Sequence, residues 1–132
     1  MNSDRLKVTA VAVPTPIAYR GAAEIAAIHY AACQLEVTVA GCYGEADCVV
    51  TFVDPVGFRV LDERDLNEYW PVCSAPNGWL FEITAHGWLS EESAHRPISA
   101  FFPNAREYLV AGGMECVSVI ATQPPALCVK SP

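Results

Sequence analysis

Arg59, Asp62, Glu63, Arg64, Asp65 and Glu68 place six charged side chains within ten consecutive residues. They lie just before the aromatic pair Tyr69 and Trp70. Carboxylates in such a group could serve as general acid and base if burial raised one pKa. Acids at a helix start, interspersed with arginine, are also what capping and i, i+4 pairing produce. Arg59 carries the most information. It follows Phe58 in an apolar run, so its guanidinium is expected to meet a carboxylate such as Asp62, Glu63 or Glu82.

A second group surrounds Trp88. Trp70, Trp79 and Trp88 recur at nine-residue spacing, and the last two each follow a glycine. Trp88, beside Glu91 and Glu92, is expected at the surface, where an aromatic with polar neighbours marks a binding patch. Core packing is the expectation for the other two. Glu92 and His95 have the i, i+3 spacing of carboxylate-bridged metal sites, but those need two such motifs on four helices. No metal is expected there. His29 and Cys33 would share a helix face as a thiolate–imidazole pair, whereas a strand separates them by about 13 Å. A partly buried histidine and a buried thiol are the expectation. Gly-rich phosphate loops and the G-x-S-x-G elbow are absent, and no cofactor is expected.

These residues must be positioned by short elements. Residues 8–13 alternate as a strand that Pro14 closes. Residues 21–33 carry alanines that favour helix, with a strand around residues 25–30 the preferred reading. Leu35, Val37 and Val39 alternate with Gln34, Glu36 and Thr38, the mark of a strand with one wet face. A turn is expected over residues 41–47, then a central strand over residues 48–53, apolar on both faces. Asp54, Pro55, Val56 and Gly57 suit a type I turn leading to a strand over residues 58–61, paired as a hairpin with its predecessor. Residues 62–70 read as one short helix stopped by Pro71, with Leu66, Tyr69 and Trp70 on one face. A loop over residues 73–78 precedes a strand over residues 79–84, and residues 86–94 make a helical turn or two. Residues 97–103 read as loop, residues 106–121 as a hairpin around Gly112 and Gly113, and residues 122–132 as an irregular exposed tail. The sum is one α+β domain over residues 1–132. It is mainly antiparallel sheet of about seven short strands, closing towards a barrel or a sandwich, with one or two short helices.

Composition narrows the function classes. The chain has 132 residues, 52% hydrophobic and 17% charged, and a formal net charge of −7. That length buries about two thirds of the unfolded surface, and the apolar fraction excludes disorder. Eight basic residues spread over an acidic chain argue against nucleic-acid binding. No apolar run reaches the roughly 18 residues of a membrane helix, and the run over residues 8–13 is shorter than a signal-peptide core. A cytoplasmic protein is the expectation. Six cysteines without C-x-x-C spacing read as reduced thiols, with Cys33, Cys48 and Cys116 buried in apolar strands.

The order of Phe58, Arg59, Asp62, Glu63, Asp65 and Leu66, then Tyr69 and Trp70, then residues 79–83, Gly87, Trp88 and Glu91, with a closing pair of strands over residues 108–119, resembles a loose group of small bacterial α+β proteins. Some of them are similar to the immunity proteins that accompany secreted toxins. The resemblance spans residues 34–121 and implies no catalytic residues. It implies a non-enzymatic domain that binds a partner. The charge adds that a basic protein would be steered to an acidic patch around an aromatic anchor. The alternative is a small-molecule binder or small enzyme with a pocket between the sheet and the 62–70 helix, lined by Arg59 with Glu63 or Asp65. Short edge strands also permit a homo-oligomer.

Overall fold

Nine strands form two antiparallel sheets in this computed structural model, which describes residues 7–15, 23–41, 44–74, 77–95 and 98–130. The larger sheet has the order β1-β6-β7-β8-β5, built from β1 (Thr9–Ala12), β6 (Leu80–Ala85), β7 (Arg106–Ala111), β8 (Glu115–Ala121) and β5 (Gly57–Asp62). The smaller has the order β2-β3-β4-β9, from β2 (Glu24–Ala31), β3 (Gln34–Gly41), β4 (Gly44–Val53) and β9 (Ala126–Lys130). The two sheets pack face to face, and among the described residues neither closes into a barrel. The fold is thus α+β and dominated by antiparallel sheet, with nine strands rather than about seven.

The core follows from the period-2 alternation of the strands. Leu35, Val37, Val39, Val50 and Phe52 of the smaller sheet meet Leu80, Tyr108, Val110, Val117 and Val119 of the larger, all buried. β2 has a bulge between Ile25 and Ala27, which turns Ile25 and Ile28 alike toward this core. The larger sheet is buried on its other face as well. There Leu66, Tyr69, Cys73, Phe81, Ile83, Leu109 and Cys116 form a second cluster under a helical layer. That layer comprises a 3-10 turn (Glu63–Asp65), α1 (Trp70–Cys73) and α2 (Trp88–His95), with the short α3 (Ile98–Phe101) following α2.

Several expectations change. Residues 24–31 are strand, the preferred of the two readings, while residues 21 and 22 lie outside the described residues. β4 and β5 do not form a hairpin: Asp54 takes a left-handed φ of 50° and the chain crosses to the other sheet, where β5 pairs with β8. The open side of β4 is filled by β9, so residues 126–130 are a strand and not irregular tail. Alternation in the 126–130 segment is short and sparse, and only long-range pairing makes it a strand. The turn at residues 41–47 is shorter than expected, since Gly41 pairs with Gly44; Cys42 and residue 43 lie outside the described residues.

The 62–70 helix is two pieces. Asp62 caps the 3-10 turn by accepting the Arg64 N–H at 2.8 Å, and a new helical turn begins at Trp70. Pro71 sits in the first turn of α1 and therefore starts a helix instead of stopping one, because its missing N–H would be unpaired there in any case. A helical turn also occupies residues 98–101, read as loop from the sequence. The middle of the 73–78 loop, residues 75 and 76, and residue 97 lie outside the described residues.

The β2–β3 hairpin turns through Ala32 and Cys33, whose φ values of 52° and 62° are those of a type I′ turn. This explains why Cys33 is exposed rather than buried: the inward alternation begins at Leu35, and Cys33 belongs to the turn. Cys48 and Cys116 are buried as expected, Cys73 is buried too, and Cys128 is exposed. A left-handed conformation costs residues with a Cβ about 1–2 kcal/mol each. Replacing Ala32 and Cys33 together by Asn and Gly is therefore expected to raise the unfolding free energy by about 1 kcal/mol. Urea denaturation at constant m checks it.

Candidate functional site

Strand alternation directs residues 57, 59 and 61 of β5, 116, 118 and 120 of β8, 107, 109 and 111 of β7, and 81, 83 and 85 of β6 toward the helical layer. Register then sets the neighbours. Ser118 lies between Arg59 and Leu109, and Ile120 lies between Gly57 and Glu107, which faces Ile83 on its other side. A carboxylate, a hydroxyl and a guanidinium thus share one sheet face with apolar residues.

Glu107 is 1% exposed. Its Oε2 accepts the Tyr69 hydroxyl at 2.9 Å and its Oε1 accepts the Leu89 N–H at 2.9 Å. The Tyr69 oxygen accepts the Trp88 N–H at 2.8 Å. The reason lies in α2. Gly87 stands at its N-cap, accepting the Glu91 N–H through its carbonyl at 3.1 Å, and has no side chain to satisfy the first helical N–H groups. Glu107 and Tyr69 do so from other elements, and a negative charge at that end suits the helix dipole. Ser90 contributes from within the helix by accepting the His86 N–H at 3.1 Å, with His86 at a φ of 62°.

Burial pushes the Glu107 carboxyl above its ordinary value, against the bonds from Leu89, Tyr69 and Trp88 and the nearby charge of Arg59, which lower it. Burial, followed by the Glu107 charge, raises the Tyr69 phenol. Burial also pushes the Cys73 thiol up to about 12 and Cys116 up to about 11, so both stay protonated at neutral pH and neither is a ready nucleophile.

Arg59 and Trp88, singled out separately in the sequence, meet here. The guanidinium carbon lies 4.6 Å from the Trp88 ring centroid, and Gly57 leaves the room in which the indole lies. The expected carboxylate partner of Arg59 is corrected by parity. Asp62 is an odd number of residues along the same strand and so points to the opposite face; it pairs with Arg64 at 2.9 Å, which holds its carboxyl down at about 2. Glu82 faces the other sheet and meets Arg106 at 3.4 Å. Arg59 Nε and Ser118 Oγ are buried without a hydrogen-bond partner. Ser118→Ala is expected to be neutral or to stabilise by up to about 1 kcal/mol, because the hydroxyl is desolvated and unpaired; thermal unfolding monitored by circular dichroism reads it.

Glu63, Asp65, Glu68 and Glu91 are exposed on the helical layer, with Glu92 and Trp88 half-buried. Trp70 is half-buried and donates from Nε1 to the Glu63 carbonyl at 2.8 Å, while Trp79 is core. His29 and Cys33 are both exposed, where a partly buried histidine and a buried thiol were expected. Among the described residues no group of three or more His, Cys, Asp or Glu converges to hold a metal ion. Glu107, Tyr69, Ser118 and Gly87 are the members that sequence reasoning missed. Glu107 left one signal: it is an acid in phase with Leu109 and Ala111, where the strand should be apolar.

No family model, curated protein or solved structure matches this chain. Both oxygens of Glu107 are held by donors and the group is shut off from solvent, so it serves as a tie between sheet and helix, without room to exchange protons with a substrate. Among the described residues no helix is long and apolar enough to cross a membrane.

Proposed function

We propose that this chain is a non-enzymatic protein-binding domain, of the kind the resemblance to immunity proteins implies, and that it presents an acidic face to a basic partner. The observation that carries this reading is the helical layer. The Tyr69–Trp88 bond ties the 62–73 segment to α2, and Glu107 of β7 bonds both Tyr69 and Leu89. The two acidic stretches, separate in sequence, therefore stand in one layer around the half-buried Trp88. Of the five carboxylates there (Glu63, Asp65, Glu68, Glu91 and Glu92), all but Glu92 are exposed, and the neighbouring Arg64 is already held by Asp62. Solvent-facing charge of one sign accelerates encounter with the opposite sign, and an aromatic held flat by Arg59 is a preorganised anchor.

Affinity capture followed by reconstitution with the purified partner tests this. Reversing charge at Glu91 and Glu92 to Lys should cut the association rate by about tenfold at low salt with little effect at high salt. Trp88→Ala should act on dissociation instead. A partner whose association ignores both salt and charge reversal would sink the proposal.

The second reading, a small polar ligand beside Arg59, is favoured by one observation: Arg59 Nε and Ser118 Oγ are cross-strand neighbours, and both are unpaired. Loss of small-molecule binding in Ser118→Ala, with folding intact, would support it over the first.

A further inference from the structure

The five-stranded sheet has one strand more than the four-stranded sheet it packs on; Leu80, Tyr108 and Val110 are covered by that sheet, but Val11 of β1 and Thr84 of β6 are not. Side chains that would be core in a matched sandwich are left open there: Val11 is 54% exposed, and Thr9 and Thr84 share a 2.7 Å hydroxyl bond at the surface. The result is an open groove of about 530 Å³. Glu82, Arg106 and Tyr108 form its polar floor, Val11 of β1 and Val13 just after it form one wall, and the prolines at 124 and 125, which lead into β9, form the other. That volume falls within the usual range for small-molecule sites.

We propose that this groove binds a small monocarboxylate with an apolar body. Arg106 decides the charge. Its side chain is 65% exposed against 25% for Glu82, so an entering group meets the guanidinium first. Their 3.4 Å contact is long for a charge-assisted bond, which leaves the planar fork of Arg106 open to a carboxylate. The nearby Glu82 charge disfavours a dianion such as a phosphate monoester. Tyr108 is a phenol raised by burial, so it remains a donor at neutral pH. Val11, Val13 and the two prolines supply apolar walls that need an apolar body to cover them. The groove lies on the sheet face opposite the helical layer and is independent of the acidic face.

Titration of the 15N-labelled chain with 4-phenylbutyrate, read by amide shifts at Asn104, Arg106 and Thr122, tests this. Saturable shifts are expected in the millimolar range or below. The uncharged 4-phenylbutyramide should bind at least about tenfold more weakly, and Arg106→Gln should weaken the carboxylate to the same degree. Val11→Asp, at an exposed position, is a second variant that should lose binding while keeping the fold. Absence of saturable shifts overturns the groove as a site. Equal binding of the amide, or binding unchanged in both variants, overturns the carboxylate assignment.

Discussion

Glu107→Ala should lower the unfolding free energy by about 3 kcal/mol or more. The substitution leaves the Tyr69 hydroxyl and the Leu89 N–H buried without an acceptor, at about 1–3 kcal/mol each, and opens a cavity beneath α2. Glu107→Gln should cost much less, since one oxygen remains, though its amide N–H2 then faces one of the two donors. The pair also predicts a pH dependence. Folding raises the Glu107 pKa above its ordinary 4.5, so the folded state binds that proton more tightly than the unfolded chain does. Its contribution is complete below the unfolded value and is lost as pH rises through the folded value. The stability of the wild type relative to Glu107→Gln should therefore fall as pH climbs upward from the ordinary carboxylate range. Urea titrations of both proteins over that climb check it, and a constant difference would show that the carboxyl is not perturbed by folding.

Gly87→Ala is expected to destabilise by about 3 kcal/mol, at the upper end for an added methyl in a packed site. A Cβ there would stand 2.6 Å from Glu107 Oε1, 2.7 Å from Ile83 Cγ2 and 3.0 Å from the Tyr69 oxygen. None of the three can withdraw cheaply. Glu107 and Tyr69 are bonded to each other and to the first turn of α2, and Ile83 lies in the strand that pairs with β7. The methyl must therefore push α2 off the sheet, and Trp88 should lose its contact with Arg59. Thermal unfolding measures the first effect, and Trp88 fluorescence, compared with Trp88→Phe, measures the second. Stability unchanged by the methyl would mean that α2 sits farther from the sheet than these distances allow.

The legibility of the site divides along strand parity. Arg59 and Trp88 were readable as unusual because one is a charge in an apolar strand and the other an aromatic beside acids. Their contact was not readable, since it joins residues 29 positions apart through the placement of α2 over β5. The expected pairing of Arg59 with Asp62 overlooked that three residues along a strand reverses the face. Glu107 was visible as an acid in an apolar phase, yet its partners are a tyrosine 38 residues and an amide 18 residues away.

Residues with period-2 alternation were determined locally: β3, β6, β7 and β8 follow from which side chains can leave water on one face. The glycines of the β7–β8 turn and the acids before the 3-10 turn were also local, because capping and turn chemistry act over a few bonds. Which strand pairs with which was decided only in three dimensions. The chain crosses between sheets at Asp54, β9 fills the edge that β4 leaves open, and Pro71 begins a helix because the preceding turn has already ended. These outcomes depend on where backbone donors and acceptors find partners across long sequence separations, and no local pattern encodes that. The acidic stretches were present in the sequence from the start; the bonds that join Tyr69, beside the first of them, to α2, which carries the second, are tertiary.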